Sequence, residues 1–167
     1  MNIQKLVLPL SLQDISQLKQ GDKALLTGIL LTARDAAHKR LAECISNKQE
    51  LPFDLRESTI FYCGPSPTPD GKICGAVGPT TSSRMDKWTP LLLEHGLRAM
   101  IGKGERSEAV QNEIRRMGSI YFVAVGGISA YLTRHIVSCE TYLWEELGTE
   151  AIYRLRVVDF PVYVSIV

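Results

Sequence analysis

The apolar positions of this chain change period along its length. KALLTGILLT (residues 23–32) is a nearly continuous apolar run and predicts a strand. Beyond it the spacing turns helical, with Ala36, Ala37, Leu41 and Cys44 or Ile45 recurring on one face. Thr32 is a candidate cap for that helix, and Asp35 suits its first turn. Arg34 is predicted in the same turn. The helix dipole disfavours a cation there, so the placement makes more sense if Arg34 meets an anion. Val7, Leu10 and Leu12 suggest an earlier strand ahead of Gly21 and Asp22. Residues 58–63 read as a short strand, stopped by GPSPTPDG (residues 64–71), whose three prolines and two glycines exclude helix and sheet interior. Residues 72–77 are weaker strand material. A helix is predicted over about residues 86–95 and an amphipathic one over residues 107–117. Residues 121–125 form the clearest buried strand, followed by GGISA (126–130) and a mixed run around Tyr131, Leu132 and Ile136. Two closing strands are predicted, over residues 151–158 and 160–167. Strands mixed with at least three helices, without repeat or linker, predict a single α/β domain over residues 1–167.

Composition narrows the partners. The chain has 167 residues, 45% of them apolar, and its 19 basic against 18 acidic side chains leave a formal charge of +1. That balance offers no electrostatic ground for binding nucleic acid or an anionic membrane. The start, MNIQKLVLPLSLQD, is broken by Pro9, Gln13 and Asp14 and does not read as a signal peptide, and no apolar run reaches 18 residues. A soluble, cytoplasmic protein with reduced thiols is the expectation. Cys44, Cys63, Cys74 and Cys139 match no C-x-x-C or zinc-ribbon spacing. Cys63 and Cys74 flank the proline-rich loop and could approach one another, with buried structural thiols as the expected role.

Three polar groups each follow an apolar run: Thr32, Arg34, Asp35 and His38; then Thr80, Thr81, Ser82 and Arg84 within GPTTSSRMDKW (78–88); then Lys103 between two glycines. Segments beyond strand ends are where α/β proteins collect ligands. Arg34 and Arg84 offer planar forks for carboxylates and Lys103 a point charge, so together they suit a dicarboxylate or a phosphate. Each alone reads more readily as a solvated surface cation, and the three matching contexts weaken that reading. Thr80 and Thr81 can donate to an anion, or one can carry a proton if a neighbouring base or charge activates it. The competing reading is a helix start capped by Ser82 or Ser83. Gly102-Lys103-Gly104 is not a phosphate-loop motif, because Glu105 stands where Ser or Thr is required. His38, four residues after Arg34, is either a proton carrier or a structural histidine tying the helix to a loop. Asp35 is a candidate partner for Arg34, and Asp86 for Arg84.

LTGILLTARDAAHKRL (26–41), YCGPSPTPDGKICGAVGPTTSSRMD (62–86), MIGKG (100–104) and ELGTEAIYRLRVVDFP (146–161) carry a family likeness. They resemble the β subunit of two-subunit class I fumarases and L(+)-tartrate dehydratases, the same unit as the C-terminal domain of single-chain class I fumarases. The resemblance runs from about residue 20 to the end and implies a swivelling β/β/α domain. It also implies an oxygen-sensitive [4Fe-4S] hydro-lyase acting on a C4 dicarboxylate, with the cluster on an α subunit and not ligated by this chain. The implied assembly is a heterodimer or a dimer of heterodimers. On the family pattern Arg34 and Arg84 bind substrate carboxylates, Thr80 is the general base, Thr81 assists it and Lys103 contacts substrate. His38 and Asp35 also match family positions, His38 among the catalytic ones. Family members continue past the Phe160-Pro161 strand, whereas this chain stops at Val167. Fumarate hydration is the leading expectation. Tartrate dehydration, a small-anion-binding module without chemistry and a purely structural partner are the alternatives.

Overall fold

A computed structural model describes residues 3–125 and 129–167. In chain order its elements are β1 (Ile3–Val7), α1 (Leu12–Ser16), β2 (Lys23–Thr32), α2 (Asp35–Ser46), β3 (Thr59–Phe61), α3 (Thr89–Glu94), β4 (Ala99–Gly102), α4 (Glu108–Arg116), β5 (Ile120–Val123), α5 (Ser129–Thr133), β6 (Ile136–Leu143) and β7 (Ile152–Ile166). Short 3₁₀ turns lie at Leu55–Glu57, Ser82–Met85 and Glu145–Glu150.

Strands β2, β3, β4 and β5 run parallel, each paired with the next. The long β7 runs antiparallel to both β5 and β2, so these five strands close on themselves. β1 extends the sheet beside the first half of β2, and β6 does so beside the first half of β7. The two-residue side-chain period sorts the closed sheet into two cores. Leu26, Leu30, Phe61, Ile101, Phe122, Leu155 and Phe160 pack together in one. Ile60, Tyr62, Met100 and Tyr121 face the other way and meet Leu41 of α2, Leu92 of α3 and Ile114 of α4. Strands covered on both faces read as continuous apolar runs, and β3 and β4 are buried at every position. Burying each Leu or Phe side chain contributes about 1.5–3 kcal/mol. The architecture is mixed α/β, one domain built around a sheet.

Several elements differ from expectation. Thr32 closes β2 rather than capping α2: its hydroxyl accepts from the Tyr153 N–H at 3.0 Å, and Arg34 occupies the N-cap position without a side-chain cap bond. The first strand ends at Val7, and Leu12 opens α1, which Ser11 caps together with Asp14. Residues 72–77 form no strand. The predicted helix over 86–95 is a 3₁₀ turn at Ser82–Met85 followed by α3, with Pro90 in its first turn. The mixed run at Tyr131 to Ile136 resolves into α5 and the start of β6. The two closing strands are one strand, β7, in which Asp159 takes a left-handed conformation (φ 50°) opposite a break in the β2 register. Gly126, Gly127 and Ile128 of the GGISA segment lie outside the described residues.

Candidate functional site

The parallel order of β2, β3 and β4 delivers three loops to one end of the sheet. After β2, the Ala33 N–H donates to the Phe61 carbonyl at 3.0 Å and places Arg34 beside the end of β3. After β3, the chain leaves through the proline-rich loop and returns: the Thr80 N–H donates to the Tyr62 carbonyl at 2.6 Å. Thr81 then bridges Lys103 in parallel register, and the Ser82 N–H donates to the Lys103 carbonyl at 3.0 Å. The backbones carrying Arg34, Thr80, Thr81 and Lys103 are thus neighbours at the strand ends. Two glycines allow the close approach. A Cβ on Gly102 would fall 1.9 Å from Ser82 Oγ, and one on Gly64 would fall 2.8 Å from both Cδ and Nη1 of Arg34. Glycine is required wherever a side chain crosses a neighbouring backbone at such range.

The arginine partners are not the expected ones. Asp35 reaches across to Arg84, 49 residues away, and accepts from its Nε at 3.3 Å and its Nη2 at 2.5 Å. Asp86 reaches Arg106, not Arg84. The fork of Arg84 is therefore pinned to the first turn of α2, next to Arg34. Arg34 Nε is buried and has no acceptor among the described residues. A desolvated N–H of a guanidinium without an acceptor costs free energy. Thr80 is half-buried, and Thr81, Arg84 and Lys103 are exposed, so the set forms an open polar face. A cleft of about 390 Å³, lined by Phe53, Tyr142, Arg154 and Arg156 among others, shares none of these residues.

His38 is 0% exposed. Its Nδ1–H donates to the Arg34 carbonyl at 2.8 Å, its ring meets Tyr62 edge-on, and Nε2 is a buried acceptor without a partner among the described residues. Burial pushes its pKa down from the usual 6.5 to about 4, against the opposing effect of the Arg34 carbonyl. The ring is therefore neutral near pH 7 and sits behind Arg34 rather than on the open face. Between pH 6.5 and about 4 the unfolded chain binds a proton that the folded chain refuses. His38 thus contributes its full stability above pH 6.5, and that contribution is lost as pH falls toward 4, on the order of 3 kcal/mol. Denaturation midpoints should fall as pH is lowered through this range, and His38→Gln should flatten the fall. Parallel curves for the two proteins would assign the loss to other groups.

One participant carried no signal in the sequence. Arg106 has a fully buried side chain, paired through Nε with Asp86 Oδ1 at 2.6 Å. Nothing in GKGERSE separates it from a solvated surface cation. Ser82, read as a possible cap, is buried with its hydroxyl 2.7 Å from Tyr121 Oη, and Thr81 stands at the N-cap of the 3₁₀ turn without a side-chain bond. All four cysteines are free thiols. Cys63 and Cys74 are buried in one core with Cys139 packed against it, and burial pushes the Cys63 thiol up to about 12, where it is inert. Among the described residues, no three or more His, Cys, Asp or Glu side chains are arranged to hold a metal ion. No described helix is long and apolar enough to cross a membrane.

A family profile described as Fumarase C-terminus matches residues 1–167. The chain is 37% identical over 157 residues to an Escherichia coli protein named "Fumarate hydratase class I, anaerobic", covering 93% of this chain and 29% of that protein. It is 36% identical over 156 residues to "Fumarate hydratase 2" of Leishmania major, covering 92% of this chain and 28% of that one. It is 31% identical over 166 residues to the E. coli "L(+)-tartrate dehydratase subunit beta", covering 96% of this chain and 81% of that subunit. The chain thus spans less than a third of the two fumarate hydratases but most of the tartrate dehydratase subunit.

Proposed function

The chain belongs to the fumarase C-terminus family, and from that premise we propose that it is the dicarboxylate-binding, proton-transferring β subunit of a hydro-lyase. The leading reaction is the reversible hydration of fumarate to L-malate. The observation that carries the reading is the meeting of unlike groups at one end of the sheet: an unpartnered buried Arg34 Nε, the Arg84 fork tied to Asp35, and the Thr80–Thr81 backbone bridged to Lys103.

Arg34 and Arg84 hold the two carboxylates, Arg84 through the Nη1–Nη2 edge that its pairing with Asp35 leaves free. In the dehydration direction the hydrogen removed from malate sits α to a carboxylate. Thr80 Oγ1 takes that proton while negative charge builds on the adjacent carboxylate. Fixed cationic donors aimed at that charge lower the barrier more than they stabilise bound substrate. A threonine hydroxyl is a weak base unaided, and Lys103 supplies the neighbouring positive charge that favours its ionised form. Thr81 donates a hydrogen bond beside it. His38 has a positioning role, holding the Arg34 carbonyl from behind. In the hydration direction Thr80 returns the proton to the same carbon.

The resemblance also implies a [4Fe-4S] cluster. The described residues do not fit it, since they bring no ligand set together and Cys63 is a buried, protonated thiol. We assign the cluster to a separate α subunit, in a heterodimer or a dimer of such pairs, and the departure of the hydroxyl to groups outside this chain. The likeness to a protein named as an L(+)-tartrate dehydratase β subunit keeps L(+)-tartrate, another C4 dicarboxylate, as the second reading.

The lone chain is expected to fold and to show no hydratase turnover, and an anaerobically reconstituted cluster-bearing α subunit should supply it. Appreciable turnover by the lone chain would sink the division of labour. A pair that binds dicarboxylate but turns over neither malate nor tartrate would leave only an anion-binding module.

A further inference from the structure

Beneath the candidate residues lies a buried polar network that the reaction as described does not use. The Arg106 guanidinium donates to Asp86 Oδ1 at 2.6 Å, to the Tyr62 hydroxyl at 3.2 Å and to Thr89 Oγ1 at 2.7 Å. It also lies 5.2 Å from the Tyr62 ring centre and 5.0 Å from that of Tyr121. The other oxygen of Asp86 accepts the Ser107 N–H at 2.8 Å. The Tyr121 hydroxyl lies 2.7 Å from Ser82 Oγ and 2.8 Å from the Gly104 carbonyl. A carbonyl only accepts, so Tyr121 donates to Gly104 and receives the Ser82 hydroxyl proton.

Three of these contacts, at Tyr62, Ser82 and Gly104, end near a residue of the proposed site. Tyr62 immediately follows β3, and its carbonyl holds the Thr80 N–H. Ser82 lies two residues beyond Thr80, and Gly104 immediately follows Lys103. Arg106 and Tyr121 therefore grip the hydroxyl loop and the lysine turn from one side while the Thr81–Lys103 bridge joins them on the other. Burying a guanidinium is costly unless its donors are satisfied, and apolar residues would fill the same volume at no greater cost. A charged hub in this place makes physical sense as a device that fixes one arrangement of the loops above it.

We propose that Arg106 and Tyr121 are positioning residues that hold Thr80 and Lys103 in fixed relation at the strand ends. This rests on the site reading given above. Arg34 is anchored separately, at the start of α2, and Arg84, which shares the 3₁₀ turn of Ser82, has a second tether through Asp35. Loosening the hub should then disturb proton transfer far more than carboxylate binding.

The test is Tyr121→Phe, which keeps the ring over Arg106 and removes only the hydroxyl, assayed in the complex with the α subunit. The expected result is a fall of about tenfold in kcat, with KM for malate changed by less than about threefold, as a small misplacement of the reacting groups produces. Amide hydrogen exchange at Ser82 should quicken while exchange at Ile101 and Phe122 stays unchanged. Should Tyr121→Phe misfold, Ser82→Ala removes the other end of the same bond and is expected to act alike. Wild-type kcat and wild-type Ser82 exchange in a folded variant would overturn the hub, provided Thr80→Ala loses activity in the same assay. If Thr80→Ala also keeps wild-type activity, the site reading itself falls, and the hub with it.

Discussion

Replacing Thr80 by alanine is expected to lower kcat of the reconstituted enzyme by about a thousandfold, with KM for the dicarboxylate within a few-fold of wild type. A positioned acid–base group contributes roughly a hundred- to ten-thousandfold, so a thousandfold loss, about 4 kcal/mol of transition-state stabilisation, is the central expectation. KM should hardly move, because Arg34 and the Arg84–Asp35 pair are anchored independently of the threonine side chain. Thr80→Ser, which keeps a hydroxyl, should recover part of the loss. The fold should be indifferent, since the Thr80 contact to Tyr62 is made through the backbone N–H. Steady-state kinetics on the three proteins decides the matter. A rise in KM with kcat intact would make Thr80 a binding group and move the base elsewhere.

The second large effect concerns stability. Asp86→Ala leaves the Arg106 guanidinium, whose side chain is 0% exposed, without its counterion. Removing one partner of a buried pair costs about 3–5 kcal/mol, because the remaining charge stays desolvated. The same substitution also strips an acceptor from the Ser107 N–H at the start of α4. Asp35→Ala breaks an ion pair with Arg84 of similar length, but those side chains are 30% and 47% exposed. Solvent screens that pair, and its loss should cost less than about 1 kcal/mol. Burial, not the N–O distance, sets the difference. Urea denaturation of both variants measures it, and comparable losses would contradict the separation of the two pairs.

Local pattern made much of the fold legible. β2 falls on the predicted residues 23–32 because eight of its ten residues are apolar or strand-forming. α4 follows from its Ser107 cap and the spacing of Val110 and Ile114. β6 carries no clear sequence signal because it is exposed or half-exposed along most of its length, so neither a buried run nor a clean alternation marks it. Asp159 and Pro161 resemble a turn and split the predicted strand in two, whereas pairing with β2 carries β7 across the irregularity. In the site, the residue types and their order are readable, but their partners are not. Asp35 lies one residue from Arg34 in the chain yet serves Arg84, and Asp86 serves Arg106, 20 residues on. Ion pairing depends on which loops the parallel strands bring together. That information resides in topology, and no spacing within a single segment contains it.

Arg34 and Arg84 make up the proposed dicarboxylate-binding face. Its most direct test is the steady-state kinetics of Arg34→Ala and Arg84→Ala in the anaerobically reconstituted complex, with malate and L-tartrate as substrates. Each lost bidentate contact, about 1.5–3 kcal/mol, should lower kcat/KM for the working substrate by about tenfold or more. Wild-type kcat/KM in both variants would contradict the assignment and remove the site from this end of the sheet.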